Sequence, residues 1–208
     1  QRTDTPTSNR ATLNPVSSGG THTLSDGNLV LVSSGTTGYW NRTHATQAAT
    51  QKMYWEVVIT TYYNIGAGLS RSDNSVSGEN APGGAFGAVV VNDETNVVGS
   101  VASESSGAIT FPIANGDVMN VAFDPARGAL WYGLDGTWKD GTGSSASSAD
   151  ILTEIQGTGT TSAIFTGFST SQTWIPCIST YGANAGVARF SEADQATALP
   201  TGYIALDP

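Results

Sequence analysis

From Ala11 to Leu206 the apolar residues come in short alternating runs closed off by turns, a rhythm that excludes most folds before any single residue is considered. In MYWEVVIT, Met53, Trp55, Val57 and Ile59 share one face while Tyr54, Glu56 and Thr60 share the other. That two-residue period predicts a half-buried strand. GDVMNVAFD sets Met119, Val121 and Phe123 in alternation, and ALWYGLDGTW does the same with Leu130, Tyr132 and Leu134. The DPARG between them is a turn of hairpin length, so the two runs are expected to pair antiparallel. Asp26-Gly27 and Asp135-Gly136 each interrupt a β-rich stretch, where Asp-Gly is a strong hairpin signal. TWIPCIST, AGVARF and TGYIAL add three further short runs.

Helical spacing is confined to one place. Lys139 to Gly159 is dominated by Ser, Gly, Thr and Asp around an apolar ILTEI, which predicts a long surface excursion with one helical turn at Ala149 to Ile155. Gln1 to Arg10 is polar and aperiodic and is expected to be an arm or linker, leaving residues 11–208 as a single domain. The chain opens on Gln1 instead of Met, as a processed product or a piece of a longer protein does. Many short strands without alternating helices imply an all-β fold, an antiparallel β-sandwich or barrel.

Charge narrows the partners. Eight basic against 17 acidic residues give a net charge of −9, and the basic ones are scattered singly, so no patch suits nucleic acid. No apolar run approaches the ~18 residues of a membrane span, so no membrane insertion is expected. Cys177, the one cysteine, lies in the apolar WIPCIS and is expected to be a buried thiol. One cysteine and two separated histidines give no zinc spacing, no EF-hand series occurs, and GAGLS and GTGT lack a phosphate-binding pattern. No metal or cofactor is therefore expected. There is no G-x-S-x-G, His22 and His44 are expected to be exposed and non-catalytic, and no carboxylates are marked out as a glycosidase pair. No catalytic residue is assigned, and the chain is not expected to be an enzyme.

With the strands laid out, the chain resembles the SPRY domain family through KMYWEV (52–57), IGAGLS (65–70), GDVMNVAFD (116–124), GALWYGLDGTW (128–138), WIPCISTYG (174–182) and LPTGYIAL (199–206). ATLNP (11–15), TLSDGNLVL (23–31) and GLDGTWKDG (133–141) further resemble the SPRY-like domains of structural proteins in tailed bacteriophages and prophages. The resemblance covers roughly Ala11 to Leu206. It implies a bent two-sheet sandwich used as a binding scaffold. Where such domains commonly close their last long strand with Asn-Phe-Gly, this chain has ARFSEAD, keeping Phe190 between Arg189 and Ser191. The stretch from Ser72 to Gly107 carries no family motif, and loops of this kind hold the specificity of a scaffold. A phage location also argues against Asn41-Arg42-Thr43 acting as a glycosylation sequon.

The resemblance implies a non-catalytic module on the virion surface. In one version it sits on a tail fibre or appendage and binds a host-surface glycan or protein. In the other it decorates the capsid or joins a fibre through other virion proteins, with the N-terminal arm docking on a neighbour. Self-association is left open, since no heptad segment specifies it. The rival classes are an intracellular peptide-binding SPRY domain and, with no residue pattern behind it, a carbohydrate-active enzyme. Candidate ligand-binding residues are the loop aromatics Tyr62, Tyr63, Trp138 and Tyr181, together with Trp131. Tyr62 and Tyr63 follow the end of a buried alternation, where paired aromatics suit recognition. Trp138, beyond the Asp135-Gly136 turn, is expected to be exposed and to suit a sugar, whereas Trp131, out of phase with Leu130 and Tyr132, is either covered by a loop or forms a stacking platform.

Overall fold

The computed structural model describes residues 11–18, 22–34, 41–71, 87–91, 100–101, 104–105, 113–141 and 146–206. In chain order these form β1 (Leu13–Ser18), β2 (His22–Ser25), β3 (Val30–Ser33), β4 (Asn41–Ala45), β5 (Met53–Thr61), β6 (Ile65–Arg71), β7 (Gly87–Val91), β8 (Ser100–Val101), β9 (Glu104–Ser105), β10 (Val118–Asp124), β11 (Ala129–Leu134), β12 (Thr137–Lys139), helix α1 (Ser148–Gln156), β13 (Trp174–Thr180), β14 (Asn184–Arg189) and β15 (Ile204–Ala205). One sheet runs β1-β4-β13-β6-β7-β8-β9 and the other β12-β11-β10-β5-β14-β3-β2. All pairings are antiparallel except β15, which runs parallel to β5. The expected all-β sandwich is the fold.

The expected hairpins form in register. Met119 faces Leu134 and Asp124 faces Ala129 across β10 and β11. Leu24 faces Leu31 across β2 and β3, with Asp26, Gly27 and Asn28 all at positive φ in the turn. Asp135 (φ 50°) and Gly136 (φ 76°) make the tight turn into β12.

The inner faces meet as the alternation requires. Trp55, Val57 and Ile59 of β5 join Met119, Val121 and Phe123 of β10 and Leu130 and Tyr132 of β11, against Ile65, Ala67 and Leu69 of β6 and Ile178 of β13. Each large side chain removed from water contributes about 2 kcal/mol. Phe168 bridges the sheets edge-on, 5.2 Å from Phe123 and 4.8 Å from Trp174.

The outer face of β5 corrects the half-buried expectation: Tyr54 and Glu56 are as buried as Trp55. Two elements cover them. Helix α1 is nine residues, longer than the single turn expected, and Ser147 caps it by accepting from Asp150 N while the Asp150 side chain answers the Ser147 backbone. Its Ile151 and Ile155 pack with Tyr54, Ala122, Trp131, Trp138 and Tyr203 in a second apolar cluster. The rest of the cover is the C-terminal segment, whose Ala196 and Thr197 amides donate to Glu56 at 2.8 and 2.9 Å. Within the expected surface excursion, α1 thus packs as a further layer on the outer face of β5, β10, β11 and β12.

Other expectations resolve individually. Cys177 is buried. His44 is buried and His22 half-buried, against the exposed positions expected. Asn41 is buried in β4, so the folded domain has no room at this position for a glycan. The ARFSEAD departure falls at the end of β14, an interior strand between β5 and β3, with Phe190 in the core and Arg189 3.5 Å from Glu56. The arm (1–10) and, apart from the backbones of β7, β8 and β9, the motif-free stretch from 72 to 107 lie outside the described residues.

Candidate functional site

Where β5 ends at Thr61 the chain turns through Tyr62, Tyr63 and Asn64 into β6, and beside it Tyr181, Gly182 and Ala183 connect β13 to β14. One side chain ties the two turns together. The Asn184 Oδ1 accepts the backbone N–H groups of both Tyr63 and Asn64 at 2.8 Å, and its Nδ2 donates to the Tyr181 carbonyl at 3.0 Å. The Tyr181 N–H donates to the Asn64 carbonyl at 2.9 Å. From the third side, the Asn115 Oδ1 accepts the Tyr62 N–H at 2.7 Å. The N–H groups of Tyr62, Tyr63, Asn64 and Tyr181 and the carbonyls of Asn64 and Tyr181 are thus engaged by protein.

Gly182 shapes the surface. It sits at φ 83°, and a Cβ placed there would lie 2.8 Å from Cδ1 and 3.1 Å from Cε1 of the Tyr63 ring. The ring consequently rests on bare backbone, a seat that any larger residue would fill. Tyr63 is 59% exposed even so, and Tyr62 and Tyr181 are half-buried beside it.

A half-buried histidine backs this end of the sandwich. His22 begins β2 in one sheet, yet its Nδ1 lies 2.6 Å from Thr43 Oγ1 and its Nε2 2.6 Å from Thr180 Oγ1, both in the other sheet. Burial pushes its pKa down from 6.5 to about 4, so the ring is neutral at pH 7. Burial and the nearby Arg42 cation do the same to His44.

Of the five aromatics expected at the site, the structure brings Tyr62, Tyr63 and Tyr181 together and places two elsewhere. Trp138 is 5% exposed, edge-on to Tyr54 at 6.3 Å between ring centres, so its expected exposure is corrected. Trp131 is fully buried: the Arg127 guanidinium lies 4.5 Å from its ring centre and its Nε1 donates to Glu154 at 3.1 Å. Of its two expected settings it is covered and not a platform, but the cover is helix α1 and not a loop. Both tryptophans are the floor beneath α1. Asn184, Gly182 and Asn115 were not foreseen; the signal was the strand-ending TTYYN and YGAN, since Asn and Gly are the residues that close turns with their own side chain or a positive φ.

Among the described carboxylates, Glu56, Asp124 and Asp117 are committed to structure. Glu56 accepts from Tyr54, Asn120 and the Ala196 and Thr197 amides. Asp124 takes the Arg127 Nε at 2.6 Å, with Lys52 at 3.5 Å. Burial opposes the Asp124 charge, but the Arg127 hydrogen bonds and the two cations outweigh it and hold the carboxyl below its usual pKa. The Asp117 carboxylate accepts the Ala114 N–H. Among the described residues no group of three or more His, Cys, Asp or Glu is placed to hold a metal.

No family model and no curated protein matches the sequence. Solved structures do match in fold. The SPRY domain of human HERC1 aligns with a TM-score of 0.59 at 12% identity, covering 89% of this chain and 99% of that one. The TRIM65 PSpry domain aligns with a TM-score of 0.59 at 13% identity, covering 86% and 88%. Stonustoxin aligns at 0.55 and 14% identity; 86% of this chain matches 27% of that one. The chain thus has the SPRY domain fold.

Proposed function

We propose that this chain is a non-catalytic recognition module on the surface of a phage particle, contacting the host through the paired β5–β6 and β13–β14 turns. The observation that carries the reading is Tyr63: an aromatic ring largely exposed to water, on a turn whose backbone is fixed by Asn184. Exposed aromatics on pre-set loops are a feature of binding surfaces. The SPRY fold supports a binding scaffold, and the stretches ATLNP, TLSDGNLVL and GLDGTWKDG support the phage setting by resemblance. Glu56 and Asp124 being saturated by structural partners supports a non-catalytic role.

Mass spectrometry of purified virions, with copy number relative to the major capsid protein, tests the location. A few copies per particle are expected of an adhesin. A copy number comparable to the capsid protein would replace recognition with capsid decoration. Absence from the particle would overturn the virion reading in favour of an intracellular interaction domain.

A further inference from the structure

We infer that the Tyr63 ring is a stacking platform for a neutral pyranose ring of a host-surface polysaccharide, seated by Gly182 and flanked by amide and hydroxyl side chains. The inference rests on the recognition reading and names its ligand class.

Three observations point to a sugar. The first is the shape of the apolar surface. Among the described residues the exposed large apolar side chains are Val32 and Tyr63, while Tyr62 and Tyr181 are half sunk into the protein. Among the described residues, the fully exposed apolar area at this end is thus one ring wide. A protein partner needs several clustered anchors to exclude water, whereas a pyranose presents a single apolar C–H face of about that size. Those C–H bonds are polarised positive by the neighbouring oxygens, and the face of an aromatic ring is its negative side.

The second is charge. Residues 60–64, 113–116 and 181–185 include no Asp, Glu, Lys, Arg or His, in a chain whose net charge is −9. Acidic sugars, phosphates and sulfates are held by cations at hydrogen-bond distance, and basic peptides by carboxylates. These turns supply no cation, and the carboxylate of Asp117, which follows the second stretch, already accepts the Ala114 N–H. Thr60 and Thr61, just ahead of the β5–β6 turn, and Asn115, bound to that turn through the Tyr62 N–H, are exposed, and Asn115 Nδ2 makes no hydrogen bond to a described residue. Amides and hydroxyls of this kind match sugar hydroxyls, which both donate and accept.

The third is rigidity. Asn184 makes three hydrogen bonds that fix the backbone on both sides of the ring, and Gly182 fills the space behind it. The cost of ordering the platform falls on folding and not on binding. That suits weak ligands such as single sugar rings.

The test applies the full chain to an array of neutral hexose and N-acetylhexosamine oligosaccharides beside sialylated and sulfated ones, then titrates the best neutral oligosaccharide. Binding to neutral members, unmoved by added salt, is expected. Tyr63→Ala should weaken it roughly tenfold or more and Tyr63→Phe change it by less than about threefold, with both variants folded as judged by circular dichroism. Binding confined to acidic glycans, neutral binding that survives Tyr63→Ala, or no glycan binding at all would overturn the inference. Its failure is distinguishable from that of the reading beneath it. If the chain attaches to host cells stripped of surface glycan and Tyr63→Ala abolishes this, recognition stands and the sugar falls. If neutral sugars bind through Tyr63 but virions lack the chain, the sugar stands and the virion setting falls.

Discussion

The Glu56 carboxylate accepts the backbone amide of Ala196 at 2.8 Å, tying the middle of β5 to a residue 140 positions later. Its other oxygen accepts from Thr197 and from the Tyr54 hydroxyl, whose pKa is pushed up by burial and by the carboxylate itself. A carboxylate offers acceptors on both oxygens, whereas an amide replaces one of them with a donor. Glu56→Gln would therefore point an NH2 group at backbone N–H groups and is expected to cost roughly 2–4 kcal/mol. Urea unfolding measures the loss, and faster hydrogen exchange at Ala196 and Thr197 would locate it. A variant as stable as the parent would show that the C-terminal segment is held by packing alone.

Trp138 belongs to the layer beneath α1, so removing it should damage stability and leave recognition alone. Trp138→Ala opens a cavity against Tyr54 and is expected to cost about 3–5 kcal/mol. Ligand binding per folded molecule should be unchanged. A stable variant with lost binding would return Trp138 to the recognition surface.

Acid should loosen the sandwich across the range in which its two histidines charge in the unfolded chain but not in the folded one. His22 and His44 have folded pKa values near 4 against 6.5 when unfolded, so between these limits the unfolded chain binds more protons. Their contribution is fully present above pH 6.5 and is lost as pH falls toward 4, at up to about 3 kcal/mol each. Urea midpoints at a series of pH values should fall across this window. His22→Gln, which can still meet Thr43 and Thr180, should remove roughly half of the slope. A flat profile in the parent would contradict the burial of both rings.

Gly128 ends the DPARG turn at φ 58°, and a Cβ there would sit 2.5 Å from the Phe168 carbonyl oxygen. Gly128→Ala meets both a strained backbone and a collision. A loss of roughly 2–3 kcal/mol in urea unfolding is expected. Gly27→Ala is the control: its φ is 65° but no atom lies within 4 Å of the added Cβ, so its cost should be the smaller.

What was legible in the sequence was what local chemistry dictates. The alternation around Trp55 assigned the inner face, and Asp-Gly placed two hairpins, because strand period and turn conformation depend on adjacent residues. The exposure of Tyr63 was legible for the same reason: the buried alternation stops at Ile59. The burial of Tyr54, Glu56, Trp131 and Trp138 was not legible. Their cover comes from α1 and from residues after Gln195, and the outward face of a strand carries no mark of what a distant segment will do to it. Asn184 was equally silent, since an asparagine in a turn looks the same whether it closes its own turn or grips another.

The parallel pairing of β15 with β5 has a consequence for how the protein is made. β5 enters the nascent chain early, yet it receives β10, β14 and finally β15 from residues up to Ala205. While the ribosome is still adding those residues, Glu56 has no Ala196 to bind and Tyr54 no Tyr203 above it. The central strand of the sheet thus waits for nearly the last residue described, and the domain completes its fold only once synthesis has passed Leu206.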